Sequence, residues 1–162
     1  MLEPWQEQWV QQHSVLLVQS FYDWTGQALI PEMSPSAALA KQLFYAPQVI
    51  LSHDTQSDPR FNYGNQMALD LWETTWDQFI GLPSRLSAEL ELQPERQLFL
   101  QQVQQRGWAQ NYQGIRITRQ GRRFAMRNAI LWNVRDRMGV LHGQAAMFCE
   151  WEWLKDTSIH QE

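Results

Sequence analysis

The sequence predicts an α+β fold in which short helices cover one face of a five-stranded antiparallel sheet, preceded by an N-terminal helical extension. Three observations support this fold class. The first third of the chain has apolar residues at helical spacing, the middle has two short strand-like runs followed by short helices, and the last third is dominated by three long strands. With 162 residues, 44% of them apolar, the chain is long enough to bury the core of one domain.

Two helices are expected before the main body. From Trp5 to Trp24, apolar residues recur at spacings near three, four and seven, which is typical of an amphipathic helix, and Gly26 ends it. The stretch 30–36 contains two prolines and is predicted to be a linker before a second helix over 37–45. The predicted organisation has three parts, namely an amphipathic helix with a linker, the main domain and a flexible tail, over residues 1–34, 35–154 and 155–162.

The middle of the chain is predicted to alternate between short strands and short helices. Strands are expected over 49–51 and 60–65, because each is an apolar or aromatic run bounded by turn-forming residues. Helical spacing then starts at Met67 and again at Trp76. Asn65 is expected to cap the first of these helices by accepting a hydrogen bond from a backbone N–H of its first turn.

A longer helix and three long strands complete the predicted elements. The helix covers 95–106, with Pro94 in its first turn and Gly107 as its end. Tight turns containing Gly121 and Gly139 join three antiparallel strands. Those strands are predicted over 108–119, 123–135 and 140–153.

The charge of the chain argues against a general affinity for nucleic acid or for anionic membranes. There are 17 acidic and 13 basic residues, a net charge of −4. Arginines are nevertheless concentrated in the strand region, and strand alternation predicts that Arg116, Arg127 and Arg135 project into solvent or pair with carboxylates. We therefore expect no nucleic-acid partner.

The sequence also carries signals of cellular location. Its only cysteine, Cys149, has no intramolecular disulfide partner. The start of the sequence lacks the basic and apolar regions of a secretion signal, and no apolar run reaches the roughly 18 residues of a membrane span. A cytoplasmic location without membrane contact is expected.

Seven segments between residues 35 and 153 carry a family signature: LSHDT (51–55), DPRFNYGNQMALDLW (58–72), LPSRLSAE (82–89), GIR (114–116), GRRF (121–124), LWN (131–133) and GQAA (143–146). They resemble the MEKHLA domain, a PAS-related domain found alone in cyanobacteria and at the C-terminus of plant class III homeodomain–leucine-zipper regulators. The resemblance implies the stand-alone cyanobacterial type, with a PAS-like sheet in the strand order 2-1-5-4-3. It implies no defined biochemical activity.

In a PAS-like fold the ligand lies between the sheet and the short helices, so strand alternation predicts which residues line the site. On two of the long strands, the more apolar set of alternate residues is assigned to the helical side: Phe124, Met126, Asn128, Ile130, Trp132 and Val134, and Leu141, Gly143, Ala145, Met147, Cys149 and Trp151. The predicted ligand contacts are Tyr63, Trp76, Arg85, Ser87, Phe124, Met126, Asn128, Trp132, Gly143, Ala145 and Met147. The alternative for Gly143 and Ala145 is that their small size only makes room for helix packing.

The loop 82–89 has two interpretations. A guanidinium fork at Arg85 and a hydroxyl at Ser87 suit a carboxylate or phosphate. Alternatively the loop is structural, with Arg85 paired to a carboxylate such as Asp70 or Glu89 and a serine capping a turn.

Catalysis and metal binding find little support. His53 and Asp54 are adjacent in sequence, and neighbours rarely face each other as an acid–base pair. The scattered histidines lack ligand spacing: His13, His53, His142 and His160. Photoreceptor PAS domains that bind flavin covalently place a reactive cysteine in a helix, whereas Cys149 falls in the last strand. The cofactor is unknown, with haem on a lone histidine and non-covalent flavin both left open.

Two functions follow as hypotheses. The first is a non-enzymatic sensory or ligand-binding module that holds a small organic molecule and signals through protein contacts. The alternative is a structural interaction or dimerisation module with a filled core. The amphipathic N-terminal helix needs a surface to cover, either the outer face of its own sheet or a second subunit, and a homodimer or another protein partner is expected.

Overall fold

The computed structural model describes residues 2–31 and 36–155 and shows a six-stranded sheet with helices on both faces. The helices are α1 (Gln8–Thr25), α2 (Ser36–Phe44), α3 (Gln66–Leu71), α4 (Trp76–Phe79) and α5 (Gln93–Arg106). The strands are β1 (Val49–His53), β2 (Phe61–Gly64), β3 (Trp108–Ile117), β4 (Arg123–Arg135), β5 (Leu141–Phe148) and β6 (Glu150–Trp153). Short 3-10 turns occupy Pro4–Gln6, Ser84–Ser87 and Leu90–Leu92. The centre of the predicted linker, 32–35, and residues 156–162 of the predicted tail lie outside the described residues.

The helix ends follow the local signals of the sequence. Gly26 ends α1 in the left-handed conformation with φ of 72°, and its N–H donates to the carbonyl of Tyr22. Gly107 ends α5 with φ of 103°. The predicted cap of α3 is confirmed, because the side-chain oxygen of Asn65 accepts the backbone N–H of Ala68 at 3.1 Å.

The sheet has the strand order β2-β1-β5-β4-β3, which confirms the predicted order 2-1-5-4-3. The last predicted strand is divided in two at Cys149. Its first part, β5, pairs with the second half of β4, and its last part, β6, pairs with Phe124–Arg127 of β4. The protein therefore has a sixth strand that the sequence alone did not predict.

A bulge in β4 moves its alternate residues from one face of the sheet to the other. Tyr112 pairs with Ala129 and Gly114 pairs with Met126, so β4 has one extra residue at this point. Asn128, within the bulge, has φ of 53°, a conformation that asparagine tolerates better than most residues. A single added residue reverses the orientation of every side chain that follows it.

The predicted inner faces of the two strands are therefore wrong in part. Met126 and Leu131 line the same cavity although five positions separate them. Trp132 lies on the opposite face, where it packs edge-on against Phe21 of α1 at 4.8 Å. On β5, Gln144 faces α5, with its side-chain amide donating to the Leu100 carbonyl at 2.9 Å. The set that includes Ala145 and Met147 consequently faces away from α5.

Both faces of the sheet are covered within this chain. On the inner face, Phe124 packs edge-on against Trp72, the residue after α3, at 5.0 Å. On the outer face, α1 buries Val10, Leu17 and Phe21 in the same apolar cluster as the sheet. Of the two surfaces that the sequence proposed for the amphipathic helix, α1 covers its own sheet. No helix in the described part of the chain is long and apolar enough to span a membrane.

Candidate functional site

A cleft of about 490 Å³ opens between the β1–β2 loop, the first turns of α5 and the start of β5. Beneath it, against the inner face of the sheet, lies a smaller cavity of about 50 Å³. Four residues line both spaces and form the partition between them: His53, Arg96, Leu100 and Gln144. The small cavity has room for only a few water molecules, since one water needs about 10–15 Å³ of such space. An organic ligand would therefore need the cleft.

The His53 side chain, at the end of β1, offers a hydrogen-bond acceptor to this site. Its Nδ1 lies 3.0 Å from the carbonyl oxygen of Asp54, and because a carbonyl only accepts, Nδ1 carries the proton. Burial lowers the pKa of His53 to about 4, with a further lowering from the charge of Arg96. At neutral pH the ring is uncharged, and Nε2 is a buried lone pair with no partner among the described residues.

The carboxylate of Asp54 does not form an acid–base pair with His53. It accepts hydrogen bonds from the backbone N–H of Arg60 at 2.9 Å and from the side chain of Gln56 at 2.7 Å. These bonds lower the pKa of Asp54 against the opposing effect of its partial burial. The contact between the two neighbours is therefore a loop constraint that fixes the imidazole tautomer.

Two further polar atoms near the site are buried without a partner among the described residues. Ser84, whose hydroxyl is unpaired, lines the cleft, and Trp72, whose indole N–H is unpaired, lines the small cavity. Buried polar groups in folded proteins are nearly always hydrogen-bonded, so unpaired groups beside one cleft call for an explanation. Together with His53, these groups supply one acceptor, one donor and one hydroxyl.

The loop 82–89 fits its structural interpretation in most respects. Arg85 is paired with a carboxylate, at 3.1 Å, but the partner is Asp58 of the β1–β2 loop instead of either acid proposed from the sequence. The hydroxyl of Ser87 donates to the carbonyl of Ser84 at 2.8 Å and closes the turn. Both side chains are thus occupied by contacts within the protein.

Five of the predicted contact residues border the two spaces. Arg85 and Gly143 line the cleft, and Ser87, Met126 and Ala145 border the cavity. The side chain of Ala145 nevertheless lies on the outer face, like that of its pairing partner Ser52, so its predicted inward orientation is wrong. Gly143 has a positive φ of 145°, and a Cβ there would collide with the carbonyl oxygen of His53. Its small size thus serves a close backbone approach, as in the alternative interpretation for this residue.

Tyr63 and Trp76 lie away from the site, which corrects their predicted placement. The Tyr63 ring is fully buried and lies 6.0 Å from the His13 ring of α1. The ring of Trp76 lies 5.9 Å from that of Tyr63 and 6.1 Å from that of Trp9. β2 has one extra residue opposite Ser52 and His53, so Phe61 and Tyr63 lie on opposite faces although they are two positions apart, and Phe61 takes the inner position.

The remaining predicted contacts are also displaced, chiefly by the β4 bulge. Trp132 donates its indole N–H to the Ser20 hydroxyl of α1 at 3.2 Å. Met147 pairs with Ile130 on that same outer face. Asn128 is exposed and donates to the Glu150 carboxylate at 3.1 Å. Phe124 does face the helices, but it is a core residue packed on Trp72 and lines neither space.

Several residues of the site were missed from the sequence, above all Arg96, Leu100 and Gln144. A signal for Arg96 was present, because it precedes Phe99 by three positions and Leu100 by four and so shares the apolar face of α5. Arg116 was expected in solvent or with a carboxylate, and this is wrong: it is 7% exposed and bonded to the Tyr112 hydroxyl. Of the other two strand arginines, Arg127 pairs with Glu152 as expected, and Arg135 stacks on the indole of Trp24.

Solved structures with the same fold are numerous at low sequence identity. A light-oxygen-voltage domain studied with a flavin analogue is 18% identical with a TM-score of 0.57, over 75% of this chain and 87% of that one. The PAS domain of a protein from Colwellia psychrerythraea is 14% identical with a TM-score of 0.59, over 71% and 92%. An RNA-binding light-oxygen-voltage receptor is 18% identical with a TM-score of 0.61, over 75% of this chain but 34% of that receptor. At these identities the likeness concerns the fold alone.

Sequence comparison gives the family directly. No curated protein matches the chain significantly. The family model of the MEKHLA domain matches residues 11–153 and so includes most of α1 as well as the whole sheet. The fold has a PAS-like strand order, as that family's relation to PAS domains implies. The chain belongs to the MEKHLA domain family.

Proposed function

We propose that this protein is a non-enzymatic sensory module that holds a small organic molecule in the cleft between the β1–β2 loop and α5. The observation that carries the proposal is the unpaired Nε2 atom of the buried, neutral His53 at the partition between the cleft and the cavity. A ligand hydroxyl or N–H group at this point would supply the missing hydrogen bond. The cleft volume of about 490 Å³ lies within the usual range for small-molecule sites.

The route for a signal runs through β1. Ser52 and His53 are adjacent and project to opposite faces of the sheet. His53 borders the cleft, whereas the hydroxyl of Ser52 lies 2.9 Å from the Nε2 atom of His13 in α1. A ligand that shifts the end of β1 would therefore change the support of α1. Slower hydrogen exchange of α1 amides after ligand addition is the expected readout, and exchange rates that stay the same would contradict this route.

The ligand test begins with the purified protein. Native mass spectrometry and an absorption spectrum should show an added small molecule in the wild-type protein. Leu100→Trp should abolish this added mass, because a larger side chain at the partition fills the space between cleft and cavity. The matched control is Leu98→Trp on the same helix, where the side chain is exposed and lines neither space.

Two outcomes would reject the ligand proposal. One is a wild-type mass equal to that of the polypeptide together with a crystal structure whose cleft contains only solvent. The other is an added mass that survives Leu100→Trp in a folded protein. In the first case the interaction module with a filled core becomes the better account, and a homodimer, which stays a prediction, would be its first test by light scattering.

A further inference from the structure

Arg96, in the second turn of α5, is a largely buried cation without a counter-ion among the described residues. It takes part in none of the ion pairs of that part of the chain. Burial, together with the positive charge of the nearby Arg116, lowers the pKa of Arg96 to about 9. Arg96 remains charged at neutral pH, but its site does not favour the charge.

Arg116 brings a second positive charge to the same cavity. Its guanidinium donates to the Tyr112 hydroxyl at 3.2 Å and to its neighbour's carbonyl, that of Ile115, at 3.0 Å. Both acceptors are neutral, so these bonds satisfy donors without compensating the charge. Arg96 and Arg116 line the 50 Å³ cavity together, and they also line an opening of about 420 Å³ between α5 and β3.

The acids nearest the cleft are engaged elsewhere. Asp54 accepts hydrogen bonds from its own loop, and Asp58 is paired with Arg85. Glu89, which precedes the Leu90–Leu92 turn, is paired with Arg123. Glu95 lines the opening between α5 and β3 beside both arginines, but its side chain is exposed and forms no ion pair with either of them. Two like charges in a mostly buried position, without an ion-pair partner among the described residues, form a site that lacks an anion.

We propose that the ligand of this sensory site carries a carboxylate or phosphate group and that Arg96 and Arg116 bind it. This inference rests on the proposed function. An oxyanion would compensate both charges and accept the unused N–H groups of the Arg96 fork. The small cavity has room for the oxyanion alone, so a hydrocarbon or aromatic body attached to the acid would lie in the cleft, against Leu90, Leu100 and Leu141. The oxyanion site thus lies one helix turn into α5, and not at the loop residues Arg85 and Ser87.

The test uses three probes of similar shape, namely benzoate, phenyl phosphate and the neutral benzamide, at constant ionic strength. NMR of the arginine Nε–H groups should show saturable shifts of Arg96 and Arg116 with at least one of the two anions and none with benzamide. Arg96→Gln should weaken that binding about tenfold or more, since charge-assisted hydrogen bonds are lost. Arg106→Gln, an exposed arginine on the same helix, is the control and should leave the affinity unchanged. Whichever of benzoate and phenyl phosphate binds more tightly identifies the acidic group of the ligand as a carboxylate or a phosphate.

A second measurement does not depend on the choice of probe. In the ligand-free protein, Arg96→Met removes an uncompensated buried charge and keeps most of the side-chain volume, so the urea midpoint should rise. A structural role for Arg96 predicts the opposite, a lower midpoint. Arg106→Met should change the midpoint little.

The outcomes separate this inference from the function on which it rests. Equal responses to benzamide and the anions, no response to any of the three probes, or a lower urea midpoint for Arg96→Met would each overturn the oxyanion site. If native mass spectrometry still shows a neutral organic molecule that Leu100→Trp removes, the proposed sensory function stands and only the ligand class is rejected. If no molecule is bound in either experiment, both proposals fall.

Discussion

The Nε2 atom of His13 lies 2.9 Å from the hydroxyl oxygen of Ser52 and joins α1 to the outer face of β1. The Ser52 hydroxyl donates to the side-chain oxygen of Asn62 at 2.6 Å, so it can only accept from His13. The imidazole therefore carries its proton on Nε2. Its burial lowers its pKa to about 4, and protonation of the second nitrogen is unfavourable in the folded state.

A pH-dependent stability follows from His13 and His53, which both have a folded-state pKa of about 4. An unfolded histidine has a pKa of about 6.5, so as the pH falls the unfolded chain binds protons first. The free energy of unfolding should decrease between pH 6.5 and 4, by about 3 kcal/mol for each residue, and lose this dependence below pH 4. Urea denaturation at a series of pH values measures it.

The histidine variants assign that pH dependence. His13→Gln keeps an amide donor for Ser52 and should remove about half of the histidine-linked decrease, and His53→Gln should remove the other part. The double variant should retain only what the carboxylates contribute. If all four proteins give parallel curves between pH 7 and 4, the two imidazoles are not the titrating groups.

Asn65 is expected to be the most sensitive cap in the protein. Its side-chain oxygen accepts from the backbone of Ala68 and Ile50, both at 3.1 Å, and its amide donates to the carbonyl of Gln48 at 2.8 Å. Asn65→Ala leaves these buried backbone groups unpaired and should lower the free energy of unfolding by about 3 kcal/mol or more. Chemical denaturation provides the measurement.

Thr75 gives the comparison for that cap. It caps α4 through one exposed bond to the N–H of Gln78 at 3.3 Å, so Thr75→Ala should cost only about 1 kcal/mol. Equal losses for the two variants would show that the network of Asn65 adds nothing to ordinary capping.

Gly143 should not accept a side chain. Gly143→Ala places a Cβ against the backbone carbonyl of His53, and a backbone atom held by strand pairing has little room to move. We expect a loss of several kcal/mol, beyond the roughly 1 kcal/mol that a positive φ alone costs. Gly121→Ala isolates that smaller cost, because Gly121 has φ of 84° in a turn with no atom near its Cβ position. Thermal unfolding of both variants provides the comparison, with a much lower melting temperature expected for Gly143→Ala than for Gly121→Ala. Similar melting temperatures would refute the close approach of the backbones at Gly143.

The β4 bulge predicts an order of substitutions at Asn128. Its φ is 53° and its side chain is exposed, so Asn128→Gly should stay within about 0.5 kcal/mol of the wild type. Asn128→Val should lose about 1 to 2 kcal/mol, because a β-branched residue is strained in this conformation. A valine variant as stable as the glycine variant would mean that β4 runs without the bulge.

Local signals in the sequence were enough for the order of the elements. Asn65, Gly26 and Gly107 act on their own turns, so the ends of α1, α3 and α5 are encoded within a few residues. The strand order came from the family resemblance, because pairing between distant strands leaves no local trace.

The faces of the sheet were predictable only as far as the strands are regular. We assumed regular alternation along the whole of β4, but the extra residue at Asn128 reverses the faces of the residues beyond it. The neighbouring strand is interrupted at about the same level, at Cys149, between β5 and β6. Nothing in an isolated asparagine distinguishes a bulge from an exposed strand position. Trp132 was consequently placed on the wrong side, and a separate extra residue in β2, opposite Ser52 and His53, misplaced Tyr63.

The polar part of the site depends on tertiary contacts and was the hardest to foresee. An arginine in a helix rich in glutamine, as Arg96 is, usually lies in solvent. Its burial depends on the packing of α5 against the sheet, where the amides of Gln144 and Asn133 donate to the carbonyls of Leu100 and Gln104. Pairs 44 and 29 positions apart in sequence give no periodic signal.

The covering of the outer sheet face by α1 has a consequence for assembly. A second subunit that used this face would first have to displace α1 and break its bonds through His13, Ser20 and Trp24. Dimer formation on that surface would thus compete with an intramolecular partner at high effective concentration. A change that detached α1 would expose the apolar outer face of the sheet to a second copy of the chain. The dimerisation affinity would then depend on whether α1 is docked or released.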